Sequence, residues 1–219
     1  CVNAIDIKSK NAVLYNMNED TILFEKNKDE EIYIASMTKI MTALVALEKI
    51  DNINDKVIMT NDMFYRLVEE NASVAGFYLG ETVTYEDLLY GLMLPSGADA
   101  AQALAISTYG SIDSFVERMN QKAKELGLKH THFSNTTGLD VESHYSSVDD
   151  VAFILKEALK NETFKKIFSE DKYTTSNKYH TFYSTRNKYG IDTSFLTGSK
   201  TGFTYDAGLC LASTSTYNG

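Results

Sequence analysis

Strand-like patterns occur only toward the two ends of this 219-residue chain, and the stretch between them reads as a run of helices. Ala12 to Tyr15 and Thr21 to Phe24 flank a turn at Asn16 to Asp20, while Tyr173 to Thr175, Tyr179 to Tyr183, Phe195 to Phe203 and Gly208 to Ser213 read as an antiparallel set. Helical spacing covers Ser36 to Ile50, Asp62 to Glu70, Tyr85 to Leu94, Asp99 to Thr108, Ile112 to Leu126 and Val148 to Leu159. Such segregation predicts an α+β, three-layer fold, with one antiparallel sheet assembled from both chain ends and the helices packed against it. Residues 1–219 are expected to form a single domain with a helical subregion at about 51–160. There are no repeats or low-complexity tracts, and the single proline is Pro95.

Within the helical middle, Ile40 to Leu47 is apolar almost all the way round, as a helix is when buried on every side. At its mouth stands Ser36-Met37-Thr38-Lys39, and one helical turn brings the serine and lysine to a common face. A hydroxyl near the positive end of a helix dipole is helped toward the alkoxide, and a lysine kept dry loses proton affinity, so Lys39 could serve Ser36 as a base. The plainer alternative is an N-cap serine followed by a solvated lysine. Ser169-Glu170-Asp171-Lys172 has the same spacing but no buried helix behind it, and it reads as surface.

Two further motifs accompany the first. Leu94-Pro95-Ser96-Gly97-Ala98-Asp99-Ala100 separates two helical patterns. Thr84 and Asp87 form an N-cap pair for the earlier helix and Pro95 stops it, which leaves Ser96 in a tight loop able to reach a core-lined cleft. Lys200-Thr201-Gly202 lies on a predicted strand, where a cation and a hydroxyl beside exposed backbone suit a carboxylate at the end of an extended peptide. Alternation puts Lys200 and Gly202 on one face and Thr201 on the other unless a bulge or twist intervenes. S-x-x-K, a second serine motif and K-T-G in this order are the set used by penicillin-binding proteins and class A β-lactamases.

The residues around these motifs carry the likeness further. Ala35 to Leu44, Leu88 to Gly97, and Lys200-Thr201-Gly202-Phe203-Thr204 with Ala207-Gly208 resemble the serine D-Ala-D-Ala carboxypeptidases, the low-molecular-mass penicillin-binding proteins. His132-Phe133-Ser134-Asn135, Gly138-Leu139-Asp140, His144-Tyr145-Ser146 and the run from Tyr179 to Arg186-Asn187 are similar to that family's linking segments, so the resemblance spans about Asn11 to Leu211.

The resemblance implies a β-lactamase/DD-peptidase-like fold and an acyl-enzyme mechanism. In it Ser36 is the nucleophile, Lys39 its base and Ser96 the proton shuttle, the backbone N–H groups of Ser36 and Phe203 form an oxyanion hole, Lys200 and Thr201 hold the substrate's terminal carboxylate with reinforcement from Arg186, and Gly202 and Phe203 also count among the substrate-binding residues. The implied substrate is a peptidoglycan stem peptide that loses its terminal D-alanine, with β-lactams as covalent inhibitors. One position departs from the pattern, because the second motif normally ends in asparagine and here that residue is Ala98. Losing that buried amide predicts a slowdown of roughly ten- to a hundredfold rather than abolition. Two alternatives stay open: a β-lactamase, for which Glu142 lacks the context of a deacylating glutamate, and a weakly catalytic binding protein.

No cofactor and no metal are expected, since His130 and His132 have strand or loop spacing and His144 and His180 stand alone. A net charge of -9 without a basic run argues against nucleic acid and against docking on anionic lipid. No stretch reaches membrane-spanning length, so membrane contact is expected only through an anchor outside this sequence, at an extracytoplasmic location in the cell envelope. A further closing strand is expected beyond Gly219. Two cysteines, Cys1 and Cys210, are too few for a disulfide framework; Cys210 reads as a buried strand thiol.

Overall fold

The structure is a computed structural model that describes residues 6–189 and 192–217, so Cys1 lies outside the described residues. It opens with an antiparallel hairpin of β1 (Ala12–Asn16) and β2 (Thr21–Lys26). A single 3-10 turn, Ala35–Met37, then leads directly into α1 (Thr38–Leu47). Every residue of α1 from Thr38 to Ala46 except Leu44 is buried, as its unbroken apolarity requires.

Short strands β3 (Lys56–Ile58) and β4 (Thr82–Thr84) pair across a long excursion and deliver the chain to α2 (Tyr85–Met93). Thr84 Oγ1 accepts from the Asp87 N–H at 3.1 Å while Asp87 Oδ2 accepts from the Thr84 N–H at 2.9 Å, the expected reciprocal cap. α3 (Ala98–Tyr109) and α4 (Ile112–Glu125) follow, then α5 (Val148–Ala158) and α6 (Glu162–Ser169), the last three capped by Ser111, Ser147 and Asn161 side chains. α1 packs against α2, α3, α4 and α5, and so is the axis of the core. β5 (Lys172–Thr174) pairs with β6 (Thr181–Tyr183), and β7 (Leu196–Thr204) with β8 (Gly208–Ser215).

Strands toward both ends and helices between them are what the structure shows. The single sheet is not: among the described residues the ladders are four separate antiparallel pairs, and the β1–β2 and β7–β8 hairpins are not hydrogen-bonded to each other. They meet instead through α5, which packs on both β1 and β8. Asp62 to Glu70 is not an α-helix but a 3-10 turn at Asn61–Phe64 followed by irregular turns. Arg66 at φ +59° and Asn71 at φ +49° take left-handed backbone that a right-handed helix cannot contain. α6 was not among the expected helices, although Phe164, Ile167 and Phe168 bury one face at helical spacing. β3 and β4 also went unforeseen, since three residues are too few to show alternation.

Candidate active site

Ala35 takes left-handed backbone, φ +46°, and this bend places Ser36 in the 3-10 turn just ahead of α1 while Lys39 occupies the helix's first turn. The turn is braced from below. Thr38 Oγ1 donates to the Ala35 carbonyl at 2.9 Å and meets His144 Nε2 at 2.8 Å, and His144 Nδ1 accepts from the Ser134 N–H at 3.0 Å. Because Nδ1 accepts, Nε2 carries the proton and donates to Thr38. Burial pulls the His144 pKa down to about 4, so the ring is neutral at pH 7.

Lys39 is 2% exposed, and its Nζ lies 3.0 Å from Ser36 Oγ. It also donates to the Thr137 carbonyl at 2.6 Å. Desolvation lowers the Lys39 pKa to about 7, with the Asp99 carboxylate opposing the shift. A large fraction of the amine is therefore uncharged at neutral pH, beside a hydroxyl on a half-buried residue.

Ser96 comes from the loop between α2 and α3 at φ +66°, a left-handed conformation that a serine adopts only when its surroundings over-determine it. Lys200 Nζ, at 1% residue exposure, donates to Ser96 Oγ at 2.8 Å and to the Thr201 carbonyl at 2.7 Å. Burial, and secondarily the charge of Lys39, lower its proton affinity too. Two serine–lysine pairs thus converge from a 3-10 turn and α1, the α2–α3 loop and β7.

The closeness of β7 to Ser36 depends on Gly202, since a Cβ there would stand 2.8 Å from the Ser36 backbone nitrogen. Next to it, Phe203 exposes half of its surface. Thr201 is half-buried and its hydroxyl meets that of Thr185, with the register shift of β7 at Leu196/Gly198 rather than at the threonine. Arg186 is not brought to the serine–lysine pairs as a free cation: it is 8% exposed and its guanidinium is ion-paired with Asp171.

Ala98 is the first residue of α3, 1% exposed, and its N–H donates to the Ser73 carbonyl at 2.7 Å. Its neighbour Asp99 holds the adjacent wall. The buried carboxylate accepts from the N–H groups of Ala75 (2.7 Å), Gly76 (2.9 Å), Phe77 (3.2 Å) and Ala100 (2.9 Å). Asp99 and the Thr137 carbonyl were not foreseen as parts of the site. A main-chain oxygen leaves no trace in sequence, and Asp99 would have been found only by asking what satisfies an acid placed in an apolar helix.

Of the remaining histidines, His180 lies against Glu81 at 2.9 Å and His130 against Glu31 at 3.4 Å, while His132 meets the Ser143 carbonyl and adds to the lowering of the His144 pKa. Among the described residues no three His, Cys, Asp or Glu side chains are gathered to hold a metal ion. Glu142 is exposed. Cys210 is a partly buried strand thiol whose pKa burial pushes up to about 11.

A serine paired with a dry lysine, a second serine met by a lysine from a neighbouring strand, and a helical middle between terminal hairpins together define the class of active-site-serine penicillin-recognising proteins. The chain belongs to the D-alanyl-D-alanine carboxypeptidase family, whose model matches residues 1–219. It is similar to the D-alanyl-D-alanine carboxypeptidase DacF of Bacillus subtilis, 38% identical over 95% of this chain and 54% of that protein. A D-alanyl-D-alanine carboxypeptidase of Streptomyces strain K15 is 36% identical over 94% of this chain and 76% of its own length. Among solved structures, penicillin binding protein 5 from Haemophilus influenzae superposes with a TM-score of 0.89 at 31% identity, covering 100% of this chain and 64% of that one. The Streptomyces K15 DD-transpeptidase superposes with a TM-score of 0.85 at 35% identity, over 94% of this chain and 84% of that chain. The chain spans about half the length of the Bacillus relative.

Proposed function

We propose that this chain is the catalytic domain of a serine D-Ala-D-Ala carboxypeptidase that removes the terminal D-alanine from peptidoglycan stem peptides outside the cytoplasm and is acylated by β-lactams. The observation that carries this is the Lys39 amine, dry and lowered to about pKa 7, at 3.0 Å from Ser36 Oγ. Uncharged Lys39 takes the Ser36 proton as Oγ attacks the carbonyl carbon between the two D-alanines. The tetrahedral oxyanion is received by the Ser36 and Phe203 N–H groups. The C–N bond then breaks as a proton passes through Ser96 to the departing amine, and D-alanine leaves. Water adds to the acyl-enzyme, gives its proton to Lys39, and Ser36 is regenerated.

Lys200 and Thr201 are assigned to the substrate's terminal carboxylate. A buried lysine with lowered proton affinity gains most from an arriving anion, which restores the charge that burial disfavours. Arg186, already paired with Asp171, is assigned to holding the 185–189 turn beside β7 rather than to the carboxylate itself. The β-lactamase and binding-protein alternatives are not favoured, because the family model and the relatives' names point to carboxypeptidases.

Two measurements test the proposal. Incubation with a fluorescent penicillin is expected to give a stable adduct mapped to Ser36 and absent in Ser36→Ala. Diacetyl-Lys-D-Ala-D-Ala is expected to release free D-alanine. Rapid repeated turnover of a chromogenic cephalosporin, or penicillin binding without D-alanine release, would overturn it.

A further inference from the structure

Asn135 sits at the start of a tight turn and satisfies it almost single-handedly. Its Oδ1 accepts from the Thr137 N–H at 3.1 Å, the Thr137 hydroxyl at 3.2 Å and the Gly138 N–H at 2.7 Å, while its Nδ2 donates to the Leu139 carbonyl at 2.9 Å. This turn carries the Thr137 carbonyl to Lys39 Nζ, 98 residues away in sequence. It is also anchored where Thr42 Oγ1 donates to the Thr136 carbonyl at 2.8 Å.

Hydrogen-bond stereochemistry gives the contact its consequence. An uncharged primary amine has two N–H donors and one lone pair, and only the lone pair can receive a proton. A carbonyl oxygen can only accept, so the Thr137 contact consumes an N–H and fixes rotation about the Cε–Nζ bond. One of the two remaining tetrahedral positions of Nζ can then be the lone pair directed at Ser36 Oγ. The first residue of α3, Ala98, has no side-chain acceptor to offer that amine. The aim of the base therefore rests on a backbone oxygen, and a backbone oxygen is only as well placed as the turn that bears it.

We propose that Asn135 is a positioning residue for acyl transfer, a side-chain clasp that holds the Thr137 carbonyl on Lys39 so that the amine's lone pair faces Ser36. This rests on the carboxypeptidase function proposed above, and deepens it.

The test separates chemistry from binding in the full chain by stopped-flow reaction with a fluorescent penicillin, which yields the affinity before acylation and the acylation rate constant independently. Asn135→Ala leaves the Thr42 anchor and the Lys200 region intact. It is expected to lower the acylation rate constant by about ten- to a hundredfold while the prior affinity stays within about twofold. Asn135→Asp keeps the acceptor for Thr137 and Gly138. It is expected to recover most of the rate, with the acid limb of the pH profile moved upward because a carboxylate is added near Lys39. The charged group that already acts on Lys39 is Asp99 on α3, while Lys39 in turn lowers the proton affinity of Lys200 on β7 and of His144.

An acylation rate for Asn135→Ala within about threefold of the parent overturns the proposal, as does a parallel loss of rate, affinity and melting temperature. Should Asn135→Ala not fold, Asn135→Asp decides alone, and an unmoved acid limb overturns it. Failure of the parent protein to be acylated at Ser36 is a separate outcome, which sinks the proposed function itself.

Discussion

At the scale of the residue, Lys39 sets the working range of the chemistry. With its pKa drawn down to about 7, acylation is expected to rise as pH increases through that value, because the amine must lose its proton before it can take one from Ser36. The rate of penicillin attachment between pH 5 and pH 9 measures this, and a flat profile would contradict it. Lys39→Arg keeps a side chain of similar length that stays protonated, and is expected to lower the acylation rate by at least about a hundredfold. Ala98 belongs at the same scale. Where the motif usually ends in an amide, this chain has a methyl group buried at the start of α3, and the slowdown expected from sequence would follow from the hydrogen bonds a methyl group cannot make.

At the scale of the element, the site is an agreement among turns rather than a property of any helix. The 135–139 turn meets the 35–37 turn face to face. Gly138 at φ +89° has no room for a side chain, since its Cβ would fall 1.9 Å from the Ala35 carbonyl oxygen. Gly138→Ala is expected to cost at least about 2 kcal/mol in urea unfolding and to slow acylation as well, because relieving the clash moves the backbone on either side of the nucleophile. A variant as stable and as fast as the parent would show the two turns to be independent. α3 is fixed by its start in a similar way, through Asp99 and the four N–H groups it satisfies. Asp99→Ala leaves those donors without their acceptor, and a loss of several kcal/mol in the same experiment is the expected result.

At the scale of the whole molecule, the buried histidine couples the site to acid stability. His144 titrates near 4 when folded and near 6.5 when unfolded, so the unfolded chain binds the proton more readily across that interval. Its contribution is complete above about pH 6.5 and disappears as pH falls toward 4, an effect on the order of 3 kcal/mol. Protonation at Nδ1 also breaks the bond from the Ser134 N–H, so the brace under the Ala35 bend fails with it. Unfolding curves between pH 7 and pH 4 are expected to show this slope in the parent and a shallower one in His144→Gln.

Much of this was legible in the chain because it is local. The burial of α1 follows from its apolarity, the cap of α2 from Thr84 and Asp87 three residues apart, and the Ser36 and Lys39 pairing from a single helical turn. Spacing of three or four residues fixes such geometry before any tertiary contact exists. The order of the three motifs identified the family on the same footing. What tertiary structure alone decided are the meetings across long separations: Lys200 with Ser96 over 104 residues, the Thr137 carbonyl with Lys39 over 98, and Arg186 with Asp171. The four separate ladders belong with these. Periodicity records which face of an element is apolar, but it is blind to partners, because a carbonyl oxygen or a salt-bridging acid is the same letter wherever the fold carries it.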